Sequence, residues 1–200
     1  MTLKSKKVSI ITFSLAAALV LAGCYYYFMI YNSVHEVSLH ADYLQFSNAD
    51  KMYQDADLVV IGRPTQSFEN REQHVQHYST GAVGDFYTFT NIDVEKTLKG
   101  SVGTNINVIE PVAIDQTLQG KDKLTIEGYT EMKQGSQYLI SLKKNTFGQY
   151  GVINMQSGKF NLDQTDPDDF PSNINLTKDK KEERDRKDQL FKEIQVKYLN

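Results

Sequence analysis

FYTFTNIDVEKTL, Phe86 to Leu98, alternates: Phe86, Thr88, Thr90, Ile92, Val94 and Leu98 fall on one face, Tyr87, Asn91, Asp93, Glu95 and Thr97 on the other. Successive side chains of a strand point to opposite faces, whereas a helix would scatter this set around its axis. A strand this long bends or coils, as barrel strands do. Lys99-Gly100 ends it, and the fold class read from it is mainly β.

Further strands lie on both sides. DLVVIGRP is a β-branched run closed by Gly62 and Pro64. Thr104 to Val112 places Ile106 and Val108 inward before Pro111 weakens pairing. MKQGSQYLISLKKN turns at Gly135 and carries Tyr138, Ile140 and Leu142 on one face. YGVINMQSGKFNL reads as a closing hairpin or bent strand turned near Ser157-Gly158. TQSFENREQHVQHYSTGAVGD shows no period and reads as a long connection, while Ala113 to Lys133 stays ambiguous, LTIEGY being a short strand or an irregular crossing. Ser47 or Asn48 can cap a short helix over ADKMYQDA. KDKKEERDRKDQLFKEIQVKYLN reads as a C-terminal amphipathic helix capped by Thr177, with Leu190, Phe191, Ile194 and Tyr198 on one stripe and a solvated, charged first half. About five strands between an entry and an exit helix predict a small five-stranded barrel of the oligonucleotide/oligosaccharide-binding (OB) type; an eight-stranded barrel needs strands that the patterning does not show.

The front of the chain differs. After Lys4, Lys6 and Lys7 no charged residue appears until Glu36, and Val8 to Tyr31 is a largely apolar stretch of 24 residues. A bilayer core needs about 20 such residues in a helix. Lysines before the span favour a cytoplasmic N-terminus, so the rest of the chain is expected outside the cytoplasm. Leu21-Ala22-Gly23-Cys24 fits a lipobox, in which Cys24 would become the acylated first residue. Tyr25, Tyr26, Tyr27, Phe28 and Tyr31 fit instead the interfacial aromatic belt of an uncleaved helix. Both readings stand at this point. The expected organisation is an anchor or signal segment at 1–31, a juxtamembrane spacer at 32–46, a barrel at 47–165, a loop at 166–176 and a helix at 177–200.

Cys24 is the single cysteine, so no intramolecular disulfide forms and the outer domain must be stable through its own core. Removing the three N-terminal lysines from 22 basic residues leaves 19 against 25 acidic ones, a formal charge of −6. That sign argues against a nucleic-acid partner, as does the location, although Tyr87, Phe89 and Lys96 would suit a single-strand-binding face.

The order ADLVVIG (Ala56 to Gly62), FTNIDVEKTLKG (Phe89 to Gly100), KQGSQYLISL (Lys133 to Leu142) and SGKFNL (Ser157 to Leu162) resembles membrane-anchored, lipoprotein-like envelope proteins of Gram-positive bacteria. More distantly it resembles the netrin-like modules of metalloproteinase inhibitors. The resemblance implies an OB-like barrel over Ser47 to Leu162. It carries no inhibitor function, because those inhibitors act through a disulfide-tied N-terminal cysteine that this chain lacks.

Few residues suggest chemistry. His74 and His77 could share a metal if their segment were helical, but they lack a third ligand. DQTDPDD holds Asp163, Asp166, Asp168 and Asp169 without the spacing of a calcium loop and reads as a solvated acidic turn. No nucleophile elbow, phosphate-cradling loop or cofactor motif occurs, so no catalytic residue and no cofactor is expected. Two readings follow: a non-catalytic module at the cell envelope that meets a protein or envelope polymer through barrel loops or the C-terminal helix, or a metal-assisted hydrolase using the loop histidines and acidic residues.

Overall fold

The computed structural model describes residues 3–46, 48–170 and 178–199. The chain divides into two compact units, one of Met1–Val37 with Ile114–Lys123 and one of Ser38–Ala113 with Leu124–Asn200.

The larger unit is built on a closed ring of five strands: β2 (Leu58–Pro64), β4 (Val83–Lys99), β5 (Asn105–Glu110), β8 (Tyr138–Lys144) and β9 (Tyr150–Val152). β2 pairs with β4, β4 with β5, β5 with β9, β9 with β8 and β8 with β2; only β5 and β9 run parallel. Numbered within the ring the order is 1-2-3-5-4, the OB arrangement. β3 (Glu72–His77) pairs with the first half of β4, and β10 (Lys159–Asn161) with the start of β8. Two strands of the smaller sheet, β6 (Val112–Thr117) and β7 (Gly120–Ile126), follow β5, and β1 (Val34–Leu39) pairs with β7.

Burial explains which runs read clearly. Leu58, Val60, Ile92, Ile106, Val108, Met132, Tyr138, Ile140 and Leu142 fill the barrel interior. The opposite faces of β2 and β8 are buried as well: Val59 and Leu139 pack outward with Ala49 and Met52 of α2 (Ala49–Asp55), Phe160 of β10, and Leu190 and Ile194 of α3 (Lys178–Ile194). Strands covered on both faces become continuous apolar runs, hence LVVI and YLISL. β4 keeps its alternation because its other face looks to solvent. Gly62 lies at a register shift between β2 and β4, where a Cβ would come within 2.5 Å of Asp93 O.

The helices dock as their stripes require. Asn48 caps α2 by accepting from Asp50 N at 2.9 Å and Lys51 N at 3.2 Å; Ser47 lies outside the described residues. Glu193 of α3 accepts from Ala49 N, and Tyr198 stacks on Tyr53 at 4.2 Å while donating to Asp50. The Thr177 cap lies outside the described residues.

Three expectations change and two open alternatives are decided. The connection after Pro64 contains β3: a strand whose one apolar side chain, Val75, is only partly buried shows no clear period. The spacer at 32–46 contains β1, and the ambiguous stretch from Ala113 forms most of the β6–β7 hairpin. β9 and β10 do not pair with each other but follow along one edge of β8, so the closing element is a bent strand. At that bend Gly158 has no room for a Cβ, which would overlap Ile153 O. The charged half of α3 is not wholly solvated either, since Lys187 is buried.

The smaller unit carries α1 (Leu3–Tyr25), which continues as a wider π-turn through Tyr31; Thr12–Tyr31 is apolar and long enough to cross a membrane and buries nothing.

Candidate functional site

Among the described residues, the barrel's chemistry-bearing side chains form two buried ionic clusters and a surface clasp, and line an open groove. In the first cluster Glu110, at the end of β5, is fully buried and faces the Arg71 guanidinium at 2.9 Å. Its Oε1 also accepts from Thr90, and its Oε2 accepts from Tyr129 Oη at 2.9 Å and Met132 N at 2.8 Å. Arg71 donates onward to Met132 O at 2.6 Å and to Gln66 O. Four donors surround the carboxylate, so it has no vacancy for a substrate proton. Burial, then the nearby Glu110 carboxylate, holds the Tyr129 phenol well above its ordinary value.

The second cluster centres on Asp169. Lys187 of α3 reaches its Oδ1 at 2.6 Å and Lys159 of β10 at 3.0 Å, while Asn161 N donates to Oδ2 at 2.7 Å. The ammonium groups also face rings: Lys187 lies 4.8 Å from the centre of Phe170, and Lys159 lies 5.2 Å from that of Tyr138. Burial disfavours the Lys187 ammonium and lowers its pKa to about 8, Asp169 opposing and neighbouring Lys159 adding to the fall. Burial alone would raise Asp169, but Lys159 and Lys187 carry it below the ordinary carboxylate value.

The acidic loop is therefore not a solvated turn. Asp166 and Asp169 are buried, and the four carboxylates go to separate partners: Asp163 to Arg63 at 2.7 Å, Asp166 to Tyr138 Oη at 2.7 Å, Asp168 to Lys133 at 3.1 Å and Asp169 to the two lysines. Arg63 completes the surface clasp by reaching Glu95 at 2.6 Å and Gly135 O at 2.5 Å. Sequence reasoning missed Arg71, Glu110, Lys159 and Lys187. A lysine directly before the buried Phe160 of a strand was the one available signal.

His74 and His77 lie on β3, three apart on a strand, so their side chains take opposite faces and share no metal. His74 stacks on its cross-strand neighbour Tyr87 at 4.7 Å, and Tyr87 meets Phe89 edge-on at 5.2 Å, giving an aromatic ladder on the outer face of β4. Among the described residues no group of three or more His, Cys, Asp or Glu is placed to hold a metal. Cys24 is exposed near the end of α1.

An open groove of about 450 Å³ lies beside α3. The groove is lined by Arg184, Asp188 and Phe191 of α3, spaced to align on one side of the helix, by Gln195 just after it, and by Gln164 and Phe170. Phe170 and Phe191 meet at 5.5 Å beneath the charged rim. The volume and the mixture of an apolar floor with a few polar groups suit a short segment of chain. No protein-family model matches this chain, and neither does any curated protein.

Proposed function

We propose that this chain is a membrane-anchored, non-catalytic binding module of a bacterial cell envelope, held by its N-terminal helix with the barrel on the extracytoplasmic side. The observation that carries it is how the buried charges are used. Glu110 and Asp169, the two fully buried carboxylates beside cations, are surrounded by donors from the chain itself, and the groove beside α3 lies open. A catalytic acid or base needs a proton path to substrate; these two are already engaged.

The aromatic cluster Tyr25, Tyr26, Tyr27, Phe28 and Tyr31 at the outer end of the apolar run supports a retained anchor over cleavage before Cys24. Lys4, Lys6 and Lys7 support the outward barrel. The partner would be a protein segment or envelope polymer laid along α3, with its apolar part on Phe170 and Phe191 and its polar groups met by Arg184, Asp188 and Gln195. A photo-crosslinking residue at Gln164, activated in intact cells, should give a discrete adduct that Phe191→Ser abolishes. No adduct, or one indifferent to Phe191→Ser, rejects the groove as the binding site.

A further inference from the structure

We infer that the tip of the β6–β7 hairpin, centred on Leu118, is a second membrane contact that inserts into the lipid interface beside the helix exit. This rests on the anchor reading above. The contacts lie within the smaller unit. Tyr26 Oη donates to Leu118 O at 2.9 Å, Gln116 Nε2 to Tyr31 O at 3.1 Å, and Lys121 N to Ser33 O at 2.8 Å. Gly120, at φ +134°, lets the tip close on Ser33, whose Oγ would lie 2.5 Å from any added Cβ. The tip is thus tied at several points to Tyr26–Ser33 and takes its depth from that segment.

That depth follows from the helix. Thr12–Tyr31 is 20 residues long. At about 1.5 Å per residue it spans about 30 Å, the thickness of a hydrocarbon core. Tyr31 then lies at the outer boundary and the Tyr26 backbone about 7 Å deeper, within reach of the interfacial zone where rings with a polar tip sit. The carbonyl that the Tyr26 hydroxyl meets belongs to Leu118, whose side chain is 73% exposed. Leu118 is exposed at this level, as Phe28 (70%) and Met29 (65%) of the helix are, and the lipid that surrounds the helix reaches it too.

The chain contains no tryptophan, so Leu118→Trp gives a single probe at a site with no packing to lose. The full-length variant is placed in phosphatidylcholine/phosphatidylglycerol vesicles, with and without bromine on the upper acyl chain. Flotation after carbonate washing reads the anchor; the indole reads the tip. We expect the protein to float, with blue-shifted emission, quenching by the brominated lipid and severalfold less acrylamide quenching than N-acetyltryptophanamide. Protein that floats with a fully acrylamide-accessible indole overturns the hairpin contact and leaves the anchor standing; protein that does not float overturns both. Adding Gly120→Ala should unseat the tip and restore acrylamide access. An indole that stays in lipid there reaches it by its own affinity, which contradicts the seating.

Discussion

Arg71→Met tests the first buried cluster. The substitution keeps much of the side-chain volume but removes the cation 2.9 Å from Glu110, along with the donors to Met132 O and Gln66 O. Both ionic side chains are fully buried, so no water takes the place of the guanidinium. Breaking such a pair by removing one partner costs about 3–5 kcal/mol, because a charged group is left unpaired. Against about 5–15 kcal/mol for a whole domain, that is about a fifth of the stability or more. At about 2–4 °C per kcal/mol for a domain of this size, the melting temperature falls by about 6–20 °C. Urea unfolding of the full chain in detergent, followed by far-ultraviolet circular dichroism, reads the change. Combining Arg71→Met with Glu110→Gln removes the stranded charge and should restore at least about 1 kcal/mol. An Arg71→Met cost below about 1 kcal/mol, the scale of an exposed pair, refutes the reasoning.

Three further predictions follow from the same geometry. The Lys187 pKa, lowered to about 8 in the fold from an ordinary 10.5, means that the unfolded chain binds more protons between those values, so stability should rise with pH through that window. Comparing urea midpoints at pH 7.5 and 9 tests this; Lys187→Met should flatten the rise, and identical slopes would sink it. Asp169 is held below its ordinary value of 3.8, so its contribution is present above about pH 4 and is lost as the pH falls further; acid titration of Asp169→Asn should show a shallower loss than the parent. Gly62→Ala brings a Cβ against Asp93 O and Ile92 and should destabilise by about 1–3 kcal/mol, an effect absent from Gly103→Ala, which meets open space.

What the sequence shows depends on what each residue buries. Phe86 to Leu98 and Leu58 to Ile61 are legible because water is kept from one face or both, which leaves a period of two or a continuous apolar run. Leu190, Phe191 and Ile194 show their stripe for the same reason. EQHVQH is a strand chiefly through backbone pairing to β4, with Val75 half-buried and most other side chains in solvent, so little in its residue types betrays it. The buried charges are hidden more thoroughly. Arg71 and Glu110 are 39 residues apart, and Asp169 and Lys187 are 18 apart; each reads singly as a surface residue until the fold brings its counterpart near. The groove is likewise invisible, because Arg184 and Gln164 come to line it only once α3 has docked.

The proposal turns on which side of the membrane the barrel occupies. Phe147, 86% exposed in the turn between β8 and β9, can be changed to cysteine in a Cys24→Ser background and probed in intact cells with a membrane-impermeant maleimide. Labelling of intact cells equal to that of lysed cells is the predicted result; labelling only after lysis would place the barrel in the cytoplasm and contradict the account.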